Sequence, residues 1–271
     1  MASRAAEFLN MKQQGEKFVV LTAYDAPTAR IEVEAGVDIV MVGDSVGTNV
    51  LGYASEREVT LDDMAHHIAA VRRGAPDVYV IGDLPYATYE SETQALASAA
   101  LLVRAGADCV KFEGARPQIV QALKREGHDV CCHIGLESQH QQGKRRQGKT
   151  AEAAGKLLAD ALALDAAGMD FIVLELVPRE LAATITKRLR SPTIGIGAGA
   201  DCDAQVLVVH DLAALGTRDF KHNRRYGALA DALRAAVAAY ARDVREGRFP
   251  AAENGFPMEA AELAAFEKSI A

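Results

Sequence analysis

The chain has 271 residues, of which 49% are hydrophobic, with no tryptophan and a net charge of −7. That length suits one large domain with a continuous aliphatic core and excludes a disordered chain. The acidic balance excludes a general attraction to nucleic acid, and no run of about 18 apolar residues is available to cross a membrane.

From the amino end, Met1–Leu9 lacks the apolar stretch of a signal peptide, so a cytoplasmic protein is expected. Short apolar runs then alternate with longer amphipathic stretches. Phe18–Thr22 and Val37–Val42 come first, followed by a helical pattern over Leu61–Arg73, with Thr60 before it and Asp62 and Asp63 in its first turn. Next come Val78–Gly82, a helix over Ser91–Arg104, Asp108–Phe112, a helix over Arg116–Arg125, and Val130–Ile134. A helix over Ala151–Ala167 leads to Phe171–Leu174, and one over Arg179–Arg190 leads to Thr193–Ile196 and Val206–Val209. Gly36, Gly74, Gly106, Gly127 and Gly168 stand where helices end, as left-handed caps favour.

This rhythm predicts parallel strands joined by crossover helices. Five or six units give an open, doubly wound sheet; eight close a barrel and need about 250 residues. The reading is therefore an α/β protein, a (β/α)8 TIM barrel over 1–271 as a single domain, with additional C-terminal helices from about 229 to 271. Those helices, Ala230–Glu246 and Met258–Ile270, can pack on the barrel or on another subunit. No repeat beyond the strand–helix rhythm is discerned. Cys109, Cys131, Cys132 and Cys202 lack C-x-x-C spacing and are expected to be reduced core thiols.

In such barrels the active site lies at the carboxyl ends of the strands. The apolar runs end in Gly43-Asp44-Ser45, Gly82-Asp83, Lys111 and Glu113, His133, Glu175 and His210-Asp211. Ionisable groups at the ends of buried strands cost several kcal/mol each unless paired or bound to metal. Asp44, Asp83 and Glu113 are hard oxygen donors on consecutive strands and suit Mg²⁺; salt bridges with Lys111 and arginines are the structural alternative. Lys111 and Glu113, two apart, point to the same side, and Lys111 can bind a carboxylate or an enolate oxygen. Glu175, across the barrel from Asp44, is the candidate general base. His133 either donates to substrate or satisfies the core. The set suits a 2-oxo acid that chelates Mg²⁺, loses a C3 proton and attacks a carbon electrophile. Gly195–Gly199 matches only part of a dinucleotide fingerprint and reads as a tight turn where backbone meets ligand.

Several motifs occur in one order: Leu21-Thr22-Ala23-Tyr24-Asp25, Val42-Gly43-Asp44-Ser45-Val46-Gly47, Gly82-Asp83-Leu84-Pro85, Val110-Lys111-Phe112-Glu113-Gly114, His133-Ile134-Gly135-Leu136, Leu174-Glu175-Leu176-Val177-Pro178 and Ile194-Gly195-Ile196-Gly197-Ala198-Gly199. Together they resemble the ketopantoate hydroxymethyltransferase family. The resemblance implies a (β/α)8 barrel, a homo-oligomer (typically a decamer), and transfer of a hydroxymethyl unit from 5,10-methylenetetrahydrofolate to 3-methyl-2-oxobutanoate in pantothenate biosynthesis. It implies that Asp44 and Asp83 hold Mg²⁺ with Glu113 beside it, directly or through water. Ser45, Asp44, Asp83 and Lys111 would contact the oxo acid, and Glu175 would remove its C3 proton. Glu137–Lys149 is shorter and more basic than the family pattern, Asp203-Ala204 stands in place of Asp-Gly, and Gly216–Arg225 is short. Two other readings remain at this stage: a Mg²⁺-dependent carbon–carbon lyase acting on a 2-oxo or 2-hydroxy diacid, with the basic run Lys144–Lys149 holding a second carboxylate, and an inactive structural homologue.

Overall fold

The apolar runs become strands because they are short, rich in β-branched residues and covered on both sides. The structure, a computed structural model, describes residues 4–140, 146–216 and 220–271. Its strands are β1 (Phe18–Thr22), β2 (Ile39–Val42), β3 (Tyr79–Asp83), β4 (Cys109–Glu113), β5 (Asp129–Gly135), β6 (Phe171–Glu175), β7 (Thr193–Ile196) and β8 (Ala204–Leu207). All are parallel, each pairs with the next, and β8 closes on β1.

Successive side chains point alternately into the barrel and out towards the helices. The inward set, including Phe18, Val20, Ile39, Met41, Tyr79, Ile81, Phe171 and Val173, forms one apolar cluster. The outward set packs beneath α3 (Leu61–Gly74), α4 (Glu92–Ala105), α5 (Pro117–Arg125), α6 (Ala151–Ala166) and α7 (Arg179–Arg188). The four cysteines are buried and unpaired, as expected.

Helices α1 (Ala5–Gln14) and α2 (Ala26–Glu34) were not among those predicted. Helix α1 plugs the lower end of the barrel, where Phe8 meets the rings of Phe18, Tyr79 and Phe171 at centroid distances of 5.0, 5.3 and 5.6 Å. Helix α2 is capped by Asp25, which accepts from the Thr28 N–H at 2.8 Å. Its apolar pattern is blurred because Ile31 and Val33 are exposed while Glu32 is buried.

A repeat invisible to a reading of apolar rhythm sits at the lower rim. Asp38, Asp108, Asp170 and Asp203 precede β2, β4, β6 and β8. Each accepts at 2.8 Å from the backbone N–H of Val19, Val80, Val130 and Thr193 on the preceding odd strand. The first three stand in Ala-Gly-Xaa-Asp, with Gly36, Gly106 and Gly168 at φ of 92°, 120° and 97°. The glycine turns the chain off the helix, and the aspartate satisfies an N–H that would otherwise lack a ladder partner.

Gly74 differs from the expected left-handed cap. It closes α3 without a positive φ, and a Cβ there would lie 2.1 Å from the Ala26 carbonyl oxygen, so close approach of α2 and α3 demands glycine. The last strand also ends earlier than its apolar run suggests. His210 and Asp211 belong to α8 (Val209–Leu212), whose Val209 N–H donates to the Thr22 hydroxyl at 3.0 Å. Beyond it lie α9 (Leu229–Arg245) and α10 (Ala260–Ile270), with no buried residue in either. Among the described residues no helix is long and apolar enough to cross a membrane.

Candidate active site

Alternation along the strands also decides what reaches the upper mouth. Reading upward, the inward positions are Tyr79, Ile81 and Asp83 on β3, Cys109, Lys111 and Glu113 on β4, and Phe171, Val173 and Glu175 on β6. The lower residues, Tyr79, Ile81, Cys109, Phe171 and Val173, are apolar, and Asp83, Lys111, Glu113 and Glu175 above them are ionisable. One cavity at that end is lined by Asp44, Ser45, Asp83, Lys111, Glu113, His133 and Glu175, together with Thr22, Glu56 and Ser138. Every site residue expected from the sequence thus lies on one cavity.

Strand register sets the neighbours. Asp83 pairs with Lys111 across β3 and β4, and Lys111 Nζ donates to Asp83 Oδ2 at 2.6 Å, with both side chains buried. Burial opposes the lysine charge, but Asp83, Asp44 and Glu113 outweigh it and raise its pKa. The lysine is therefore a fixed cation. The Asp44 N–H donates to the same Asp83 oxygen at 3.3 Å, while Asp83 Oδ1 is buried without a hydrogen-bond partner.

Asp44 follows β2 beyond Gly43. Burial, then the charges of Asp83 and Glu113, push its carboxyl up to about 8. Asp44 Oδ2 accepts from Gln139 Nε2 at 2.8 Å. Neighbouring Ser45 places its Oγ 2.8 Å from the Tyr24 hydroxyl, which burial keeps protonated well above its usual range.

Glu113 is more heavily engaged than the sequence suggested. Its Oε1 accepts from the Ser138 N–H and Oγ at 3.2 and 3.1 Å, and its Oε2 from the Gln139 N–H at 2.9 Å. It anchors the loop after β5. Among the described residues, no three His, Cys, Asp or Glu side chains are grouped so as to hold a metal ion. Of the expected trio, Glu113 has both oxygens hydrogen-bonded to the loop, while Asp44 and Asp83 lie side by side on the cavity. These two do fit a hard cation: they are buried together, Asp44 resists ionisation in their company, and Asp83 Oδ1 awaits a partner. One or two carboxylates completed by water or substrate is the usual Mg²⁺ arrangement.

His133 is wholly enclosed between two acids, with Nδ1 3.6 Å from Glu113 Oε1 and Nε2 3.3 Å from Glu175 Oε2. Neither contact is aligned as a hydrogen bond. Burial lowers its affinity for a proton, and the facing carboxylates, Glu175 foremost, outweigh this and raise its pKa. Glu175 ends β6, opposite β2 in the closed barrel, and is more exposed than Asp44, Asp83 and Glu113.

Sequence reasoning missed Tyr24, Ser138, Gln139 and Tyr89. Tyr24 lies within a quoted motif. Ser138 and Gln139 have no signal beyond position in the loop after His133, and Tyr89 none beyond position in the loop after β3, because a neutral side chain near a strand end looks like any loop residue. Of the basic run Lys144–Lys149, residues 144 and 145 lie outside the described residues, as do 217–219 of the short region Gly216–Arg225. The glycine turn after β7 is packed by protein: a Cβ at Gly197 would meet Leu176 Cδ2 at 2.6 Å, and one at Gly199 would meet Arg179 Cβ at 2.5 Å.

A family profile described as ketopantoate hydroxymethyltransferase matches residues 3–252. The chain belongs to the ketopantoate hydroxymethyltransferase family. It is 51% identical over 263 residues to 3-methyl-2-oxobutanoate hydroxymethyltransferase of Chloroflexus aurantiacus, covering 94% of this chain and 93% of that one. It is 46% identical to the Thermus thermophilus protein of the same name, covering 94% and 100%. Among solved structures it is similar to a 2,3-dimethylmalate lyase of the PEP mutase/isocitrate lyase superfamily, with a TM-score of 0.60 at 18% identity and full coverage of both chains. A phosphoenolpyruvate phosphomutase of Streptomyces platensis subsp. rosaceus gives 0.63 at 15%, covering 98% and 96%. These two share the fold; the family's ties of sequence run to hydroxymethyltransferases. This member of the ketopantoate hydroxymethyltransferase family is accordingly an enzyme, a transferase, which sets aside the inactive homologue.

Proposed function

We propose that the protein transfers a hydroxymethyl group from 5,10-methylenetetrahydrofolate to 3-methyl-2-oxobutanoate, giving 2-dehydropantoate in pantothenate biosynthesis. The observation that carries this reading is the pairing, across one mouth, of two crowded buried carboxylates, Asp44 and Asp83, with a separate carboxylate, Glu175. The first pair calls for a cation and the second element is placed to take a proton.

Asp44 and Asp83 would hold Mg²⁺, with Glu113 reaching it through water. The ion would supply Lewis-acid polarisation of the 2-oxo acid. Lys111, charged and fixed on Asp83, attracts the substrate carboxylate. Ser45, supported by the neutral Tyr24 hydroxyl, offers a hydrogen bond to a substrate oxygen. Glu175 removes the C3 proton, and His133 Nε2, 3.3 Å from Glu175 Oε2, steadies the carboxylate through that exchange. The apolar inward residues Met41, Val173, Ile196 and Val206 form the cavity floor and suit a branched aliphatic chain.

We further propose a cytoplasmic homo-oligomer, the decamer implied by the family resemblance. Buried unpaired thiols support the location. The oligomer is supported by Leu229, Leu233, Val237, Tyr240 and Val244, spaced along one stripe of α9 and 44–59% exposed.

The test is C3 deuterium exchange of 3-methyl-2-oxobutanoate with and without Mg²⁺, then product formation with and without 5,10-methylenetetrahydrofolate. Exchange that ignores Mg²⁺ refutes the cation's role; exchange without folate-dependent product refutes the donor. Asp83→Ala is expected to weaken Mg²⁺ and the oxo acid together, and unaltered Mg²⁺ affinity removes Asp83 from the site.

A further inference from the structure

Gln139 is 1% exposed, yet every polar group of its side chain is engaged. Nε2 donates to Asp44 Oδ2 at 2.8 Å and to the Leu84 carbonyl at 3.1 Å, and Oε1 accepts from the Tyr89 hydroxyl at 2.5 Å. Its backbone N–H meets Glu113. A single residue of the loop beyond β5 therefore ties together groups that follow β2 and β3 and the residue that ends β4.

The amide can stand only one way round. Reversed, its oxygen would face the Leu84 carbonyl, an acceptor at any pH, and would lose the Tyr89 hydroxyl as donor, in a dry setting where such a clash costs several kcal/mol. Tyr89 enforces the orientation, since its hydroxyl donates to the amide oxygen. Tyr89 is itself held by His140 Nε2 at 3.0 Å and by packing on the Phe112 ring at 5.6 Å. The amide N–H thus points at Asp44 and claims one of its two oxygens.

We propose that Gln139 is a positioning residue that fixes the rotation of the Asp44 carboxylate, committing Oδ2 to the amide so that the other oxygen is presented to the divalent cation. This rests on Asp44 and Asp83 as the cation's holders. Glu113 acts in the same device: by gripping the Ser138 and Gln139 backbone it sets the height of the loop that carries the amide. Partners of this kind orient the groups that hold a metal without touching it.

The experiment titrates metal-free protein with Mn²⁺ by calorimetry, comparing wild type with Gln139→Met, which keeps length and apolar bulk but lacks the N–H, and with Tyr89→Phe, which keeps the ring packing but releases the amide. Melting temperatures are measured in parallel. Gln139→Met is expected to weaken Mn²⁺ by roughly ten- to a hundredfold, and Tyr89→Phe to weaken it less, in the same direction. Tyr89→Phe decides the matter if Gln139→Met does not fold. Lower melting temperatures with Mn²⁺ affinity within twofold of wild type overturn the proposal and leave only a structural role. Absence of Mn²⁺ binding by wild type overturns both this proposal and the reading of the site beneath it, whereas equal binding by all three overturns this proposal alone.

Discussion

Glu32 presents a test of the fold that is independent of the active site. It is 4% exposed in α2, both carboxyl oxygens are buried without partners, and burial, then the charge of Asp25, push its carboxyl from 4.5 up to about 8. Between those values the native state holds a proton that the unfolded chain has released, so stability falls as pH rises from about 4.5 to 8. The difference, at about 1.4 kcal/mol per pH unit, comes to roughly 5 kcal/mol at full ionisation, and local admission of water makes this an upper bound. Glu32→Met keeps the length and removes the ionisable group. The variant is expected to be slightly more stable than wild type at pH 5 and about 3–5 kcal/mol more stable at pH 8. Urea unfolding of both proteins at one protein concentration, from pH 5 to 8, measures this. Titrations shared by the two, such as those of Asp44 and His133, cancel in the difference. A difference that does not grow with pH would show that Glu32 ionises normally and that its burial is not dry.

Glu175→Gln should slow C3 exchange by about 10²–10⁴-fold while leaving Mg²⁺ binding nearly unchanged, since the group meets the proton and not the ion; exchange at the wild-type rate removes it from the mechanism. Phe8→Ala should cost about 3–5 kcal/mol, because it opens a hole among Phe18, Tyr79 and Phe171 beneath the barrel; thermal unfolding reports it, and a loss under 1 kcal/mol would mean that α1 does not seal the core. Gly74→Ala should cost about 3 kcal/mol by forcing α2 and α3 apart where a Cβ would meet the Ala26 carbonyl at 2.1 Å. A neutral effect on the melting temperature there would refute the close approach.

The barrel was legible because its signal is local and repeated. Apolar runs of strand length alternate with amphipathic helices, and the observed strands depart from those runs by at most two residues at either end. The largest shift, two residues at both ends, is at β8, where Thr22 captures the Val209 N–H and a helix starts within the apolar run. The top layer of the site was legible for a related reason. A charged residue ending a buried strand is conspicuous, and alternation by two aims it inward, as with Asp83, Glu113 and Glu175. Helix α1 was not legible, since its core contact is made largely by Phe8 against three distant rings. Nor was the role of Gln139, whose amide matters only through Asp44, 95 positions away.

The amino-acid order alone dictated that eight parallel strands form and that carboxylates crowd one end of them. These follow from local periodicity, which acts within a dozen residues. Tertiary structure decided how the acids divide their work: Asp83 beside Lys111, Glu113 spent on the loop, Asp44 held by Gln139, Glu175 against His133. Those assignments depend on strand register and on distances of about 3 Å between residues far apart in the chain. Closure of the barrel fixes such distances, and no local pattern encodes them.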